Sequence, residues 1–150
     1  MIWIDFGIIC IGQETKSVPP NTDNLVIEAY QRTANAEQFY NENYNFHTAD
    51  KQVGVWYNIW LSELSCYDES LFDISSEQIP NVCVVPKYEA LVKQLLEFYL
   101  DESPEHNIAV LLRVEDKSND TVHSLCTLDD FIQALKAGTI KWNELYFIRP

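Results

Sequence analysis

Glycine is scarce in this chain. Only four occur, at positions 7, 12, 54 and 138, so neither a G-x-G-x-x-G turn nor a phosphate-cradling P-loop can be assembled from them. Positive charge is scarce as well. Ten Lys and Arg stand against 23 Asp and Glu, giving a net charge of −13 and a pI near 4.4. A surface of that sign repels phosphate backbones, which excludes direct binding to DNA or RNA, and attracts basic proteins or cations.

Metal and redox motifs are missing too. The three histidines, His47, His106 and His123, are far apart and form no H-E-x-x-H. The four cysteines, at 10, 66, 83 and 126, contain no C-x-x-C and no short pairing. In a chain able to bury a sizeable core they read as buried reduced thiols. The acidic run DESLFDISSEQ, residues 68–78, lacks both the alternating oxygen ligands and the glycine of a calcium loop. No cofactor and no metal are therefore expected. No apolar run reaches bilayer length. The opening MIWIDFGIICIG is apolar but has no basic leader, contains Asp5 and precedes no convincing cleavage site. These features place the chain in the cytoplasm, without a membrane partner.

What is present points to a folded domain. Hydrophobic residues make up 47% of the 150 positions and charged ones 22%, with four Trp, eight Tyr and seven Phe. That length suits one domain spanning 1–150, large enough to enclose a core without disulfides or metals. No repeat and no linker interrupts it.

Periodicity gives an alternation of helices and strands. Residues 2–11 read as a buried strand, followed by a loop through Pro19 and Pro20. Residues 25–40 read as a helix, with Ile27, Tyr30 and Ala34 on one face. Residues 53–67 satisfy two periods. Val53, Val55, Tyr57 and Ile59 alternate as in a strand, whereas Val53, Trp56, Tyr57, Trp60, Leu61, Leu64 and Tyr67 recur at three and four. The longer, helical pattern with Asp50 as cap is preferred, although Gly54 opposes it by about 1 kcal/mol. A short strand follows at 82–85. Pro86 then suits the first turn of a helix running to about Leu100 on the stripe Tyr88, Leu91, Val92, Leu95, Phe98 and Tyr99. Residues 107–114 form a buried strand, and 121–126 return antiparallel to it. Thr127 and Asp130 begin a helix whose inward face is Leu128, Phe131, Ile132 and Leu135 and which Gly138 ends. Residues 144–149 form the last strand. The expected fold is α+β, a single domain with a central mixed or antiparallel sheet and about four packed helices.

Chemistry-bearing clusters are few. Cys66 or Cys126 with His123 would make a nucleophile and base only if the fold joined and activated them. A core thiol is the simpler reading. The adjacent acids Asp101–Glu102, Glu115–Asp116 and Asp129–Asp130 suit helix ends and turns. The unusual feature is their distribution. From Thr33 to Pro86 eight acids stand against one base, Lys51, interleaved with Phe39, Tyr40, Tyr44, Phe46, Trp56, Tyr57, Trp60, Tyr67 and Phe72. Carboxylates near aromatic rings make a protein-binding surface, with rings to anchor and charge to steer. The plainer reading is a solvated acidic surface that keeps the chain soluble.

A small, acidic, aromatic-rich α+β chain without catalytic motifs resembles the immunity proteins of bacterial contact-dependent inhibition and other polymorphic toxin systems. The stretches VHSLCTLDDFIQALKAGTIKWNELYFI and WLSELSCYDESLFD carry that likeness, in character and size over the whole chain. The resemblance implies a non-enzymatic protein that neutralises a cognate toxin domain, many such toxins being nucleases, by covering the active site or a neighbouring surface. On that view Glu63, Asp68, Glu69, Asp73 and Glu77 oppose basic residues of the toxin, and Tyr67 and Phe72 serve as anchors. The other readings are an acidic protein-interaction adaptor without toxin specificity and an unrecognised hydrolase.

Overall fold

In VWYNIWL every second side chain is buried, Val55, Tyr57, Ile59 and Leu61 in turn. That alternation is the signature of a strand with one face on a core. The computed structural model describes residues 4–10, 13, 15–20, 22–30, 54–62, 70–74, 80–104, 106–114 and 122–150. Its large sheet contains β1 (Ile4–Cys10), β2 (Leu25–Tyr30), β3 (Val55–Leu61), β6 (Ile108–Val114), β7 (Val122–Thr127) and β9 (Leu145–Arg149), in the order β2-β3-β1-β6-β9-β7. A smaller sheet joins β4 (Phe72–Ile74), β5 (Asn81–Val84) and β8 (Ile140–Lys141) in that order. Two helices are described, α1 (Glu89–Glu102), entered through a 3-10 turn at Pro86–Tyr88, and α2 (Leu128–Ala137).

This corrects the expectation of about four packed helices, because two of the expected ones begin as strands. Residues 25–30 pair antiparallel with β3 along their whole length, from Leu25 opposite Leu61 to Tyr30 opposite Trp56. The rest of that expected helix, 31–40, lies outside the described residues. In β3 the same bulky residues satisfied both periods. The strand prevails because β-branched and aromatic side chains fit a pleated, half-buried surface. Gly54, at φ 91°, holds a left-handed conformation that a continuing helix does not accept.

Neighbouring strands are antiparallel except β7 and β9, which are parallel, so the large sheet is mixed. Residues 122–127 do run opposite to β6, but β9 lies between them. One face of the sheet presents Phe6, Ile8 and Cys10 from β1, Tyr57 and Ile59 from β3, and Val110 and Leu112 from β6 to the main core. There α1 brings Val92, Leu95, Leu96, Tyr99 and Leu100, and α2 brings Leu128, Phe131, Ile132 and Leu135. On the other face Ile9, Leu111 and Leu145 are buried as well. The central strands are covered on both faces, which explains why IAVLLRV is a continuous apolar run.

Three local devices fix this arrangement. Thr127 Oγ1 accepts from the Asp130 N–H at 3.1 Å to start α2, and Gly138, at φ 71°, ends it. On the second sheet face the Trp56 indole lies across Gly7, so close that a Cβ there would sit 2.7 Å from Trp56 Nε1. Where the β6–β9 ladder ends, Asn143 continues it with its side chain. Its Oδ1 accepts from the Val114 N–H at 2.8 Å, its Nδ2 donates to the Val114 carbonyl at 3.0 Å, and its own N–H donates to the Leu112 carbonyl at 2.7 Å. Among the described residues no helix is long and apolar enough to cross a membrane.

Candidate functional site

Of the seven residues assigned to a partner surface from sequence, Glu63, Tyr67, Asp68, Glu69 and Glu77 lie outside the described residues. Phe72 and Asp73 are neighbours on β4, and strand alternation sends them in opposite directions. Phe72 is 3% exposed and packs edge-on against Phe6, with ring centroids 4.9 Å apart. It is a core residue, which removes it as an anchor. Its position in an apolar–polar–apolar triplet, Phe72–Asp73–Ile74, was the available signal. Asp73 is exposed on an outer strand of the small sheet, and its Oδ1 accepts from the Ile74 N–H at 2.8 Å. The undescribed acidic stretches 63–69 and 75–79 flank this strand in sequence.

The described residues hold eleven of the 23 acids and seven of the ten bases, so most of the negative surplus resides on the others. Within the described part, acids gather at the C-terminal end of α1. Glu97, Asp101 and Glu102 are exposed there, and the last turn of α1 has no basic residue. A helix C-terminus is already the negative end of the macrodipole, so these carboxylates reinforce its field where cations are usually favoured. The arrangement at α2 is the ordinary one, with Asp129 and Asp130 in the first turn and Lys136 in the last. Lys136 reaches Glu89 of α1 at 3.4 Å. With both partners substantially exposed, that pair ties the helices only weakly.

A second cluster, unreadable from local spacing, sits beside the acidic end of α1. Ser17 is its hub. The Ser17 N–H donates to Tyr57 Oη at 2.8 Å, and the Ser17 carbonyl accepts from Tyr99 Oη at 3.1 Å. Its Oγ accepts from Gln13 Nε2 at 2.9 Å and donates to Glu102 Oε2 at 2.9 Å. Tyr57 Oη donates in turn to Gln13 Oε1 at 2.6 Å, and the two tyrosine rings lie 4.2 Å apart. Cys10 Sγ donates to the Tyr99 carbonyl at 3.6 Å. Next to Ser17, Val18 stands 64% exposed. The partners in this cluster are separated by up to 89 positions in sequence, so no periodicity could join them.

Burial disfavours the ionised forms of Cys10, Tyr57, Tyr99 and Cys126. Burial pushes the Cys10 thiol far above its ordinary range, and the Glu102 carboxylate adds to the effect. Burial also raises Tyr99, helped by Tyr57, Cys10 and Glu102 nearby, and raises Tyr57 against the lowering effect of its hydrogen bonds. Cys126 is raised by burial and by Asp130, with Arg149 opposing. A thiol so placed is not the thiolate that nucleophilic chemistry requires. The His123 side chain, its suggested base, lies outside the described residues. Cys10, Cys83 and Cys126 are free thiols. Among the described residues no group of three or more His, Cys, Asp or Glu is placed to hold a metal ion.

Comparison of the chain with protein-family models, with curated proteins and with solved structures gave no match.

Proposed function

We propose that this chain is a cytoplasmic immunity protein that binds and neutralises a cognate basic toxin domain through carboxylates on its surface. The observation that carries the reading is the charge imbalance, −13 over 150 residues, concentrated between Thr33 and Pro86 among aromatic residues. A toxin that grips nucleic acid needs Lys and Arg at its phosphate contacts. An array of carboxylates presented to that surface competes for the same cations and covers the substrate path. Opposed charges also accelerate encounter and reject wrong partners. Glu63, Asp68, Glu69, Asp73 and Glu77 are the acids proposed for this role. The exposure of Asp73 beside the buried Phe72 supports a reading in which charge lies outward while the rings of this segment are divided between core and surface. Binding alone accounts for the inhibition, and no turnover is required of this chain.

The test is protection. The partner retained from lysate of the native host is isolated, its activity is measured alone, and the chain is then added in equimolar amount. Loss of that activity, restored when the five acids are replaced by their amides, supports the proposal. Stable capture with undiminished activity supports the adaptor reading instead. Within the interface, loss of a buried acid would weaken binding by about 2–5 kcal/mol, and loss of a rim acid would chiefly slow association.

A further inference from the structure

β2 borders the large sheet, with β3 as its one neighbour among the described residues. The Ser62 N–H donates to the Asn24 carbonyl at 2.8 Å, in step with the β2–β3 register. Bonded pairs alternate along an antiparallel ladder, so Val26, Glu28 and Tyr30 turn their backbone groups toward β3. Leu25, Ile27 and Ala29 turn theirs outward. The Leu25 N–H is taken by the Thr22 carbonyl at 2.9 Å, whereas the N–H and C=O of Ile27 and Ala29 have no bond among the described residues. The side chains of these three residues are half-buried against the main core, so the apolar layer continues to the rim. Sheets blunt such edges with bulges, short strands, Pro or Lys. β7, the opposite edge, has a bulge between His123 and Cys126, and the outer strands of the small sheet have only three and two residues. β2 has six residues in regular register, LVIEAY, with neither Pro nor Lys.

We propose that β2 takes an added strand from the partner, an extended basic segment whose backbone pairs with Ile27 and Ala29. The inference rests on the reading of this chain as the binder of a basic toxin domain and gives that reading a second point of contact. Charge selects the occupant. Asp23 and Glu28 are exposed here, and neither β2 nor β3 contains a Lys or Arg. A second copy would bring another chain of charge −13 to a contact only six residues long, and self-repulsion opposes that pairing. A strand with Lys or Arg on the face that carries Glu28 meets opposite charge instead. Its alternate residues, if apolar, extend the layer formed by Leu25, Ile27 and Ala29.

The experiment titrates the isotope-labelled chain with a short peptide of alternating Val and Lys, and separately with its Val–Glu counterpart. Amide resonances and hydrogen exchange are followed residue by residue. In the peptide-free chain the Ile27 and Ala29 amides should exchange rapidly, and those of Val26 and Glu28, bonded to β3, slowly. The Val–Lys peptide is expected to shift the Ile27 and Ala29 resonances and slow their exchange, and the Val–Glu peptide to do neither. Ala29→Pro removes an outward N–H and leaves the β3 ladder intact. It should weaken Val–Lys binding roughly tenfold while the Val110 amide stays protected. Glu28→Lys, at an exposed position, is the second variant and should reverse the preference between the two peptides. The proposal is overturned by equal responses to both peptides, by no response at Ile27 and Ala29, or by slow exchange there before peptide is added. Slow exchange that grows with protein concentration would assign the edge to a second copy. Pairing of the Val–Lys peptide supports the edge site even where the chain fails to inhibit a toxin, so the two readings fail separately.

Discussion

Asn143 pairs with Val114 as a strand residue would, but through its side-chain amide. One atom accepts from the Val114 N–H and the other donates to the Val114 carbonyl, at 2.8 and 3.0 Å. The residue adopts a left-handed backbone, φ 59°, that asparagine tolerates better than most residues do. Both bonds are buried. Asn143→Ala strands the two Val114 groups and should destabilise the fold by about 2–4 kcal/mol. Asn143→Gly relieves the backbone conformation but not the lost bonds, and should be the less damaging of the two. Urea midpoints with unchanged slopes would measure both effects.

Gly7 and Trp56 form a second dependency. A methyl group at position 7 meets the indole nitrogen at 2.7 Å, with the Leu111 carbonyl oxygen also near, at 3.4 Å. Gly7→Ala should therefore cost about 1–3 kcal/mol through displacement of the ring. Combined with Trp56→Val it should cost less than the sum of the two single changes, because the obstacle is gone. Additive thermal shifts would contradict this explanation.

The cap of α2 is a smaller and cleaner test. Thr127→Ala removes the acceptor for the Asp130 N–H and should cost about 1 kcal/mol, whereas Thr127→Ser should be close to neutral. Equal effects of the two would assign the loss to packing of the threonine methyl group instead.

Alkaline pH probes the Ser17 cluster. Cys10, Tyr57 and Tyr99 all have pKa values raised in the folded state, and Tyr146 is pushed up to about 12 by burial. Above the ordinary values, 9.0 for the thiol and 10.0 for tyrosine, the unfolded chain releases protons that the folded chain keeps. The stabilisation is thus complete below pH 9 and declines as pH rises beyond it. Urea unfolding between pH 8 and 11 should show this fall, and Tyr99→Phe should flatten it. A stability independent of pH over that range would contradict the buried placement of these groups.

Much of the fold was legible where one period dominated. The stripe ending at Tyr99 gave α1, and the run IAVLLRV gave β6. The Thr127–Asp130 pair with Gly138 gave both ends of α2. The reading failed at β2 and β3, where Trp56, Tyr57 and Trp60 suit a helix face and a pleated sheet alike. The decision there belonged to strand pairing, which local periodicity does not contain. Insertion of β9 between β6 and β7, and the joining of Ser17 to Glu102, are likewise products of topology. At the proposed surface the acidic character was legible from composition, but the division between buried Phe72 and exposed Asp73 depended on strand phase.

The central claim is that the acidic surface exists to meet a basic protein. Its most direct test is capture of partners by the immobilised chain from lysate of the native host in which the toxin is expressed, first at low salt and then at high salt. The account predicts retention of a basic toxin domain at low salt, with binding that weakens as ionic strength screens the charges. Recovery of no basic partner at low salt would contradict it, and the carboxylates would then serve solubility alone.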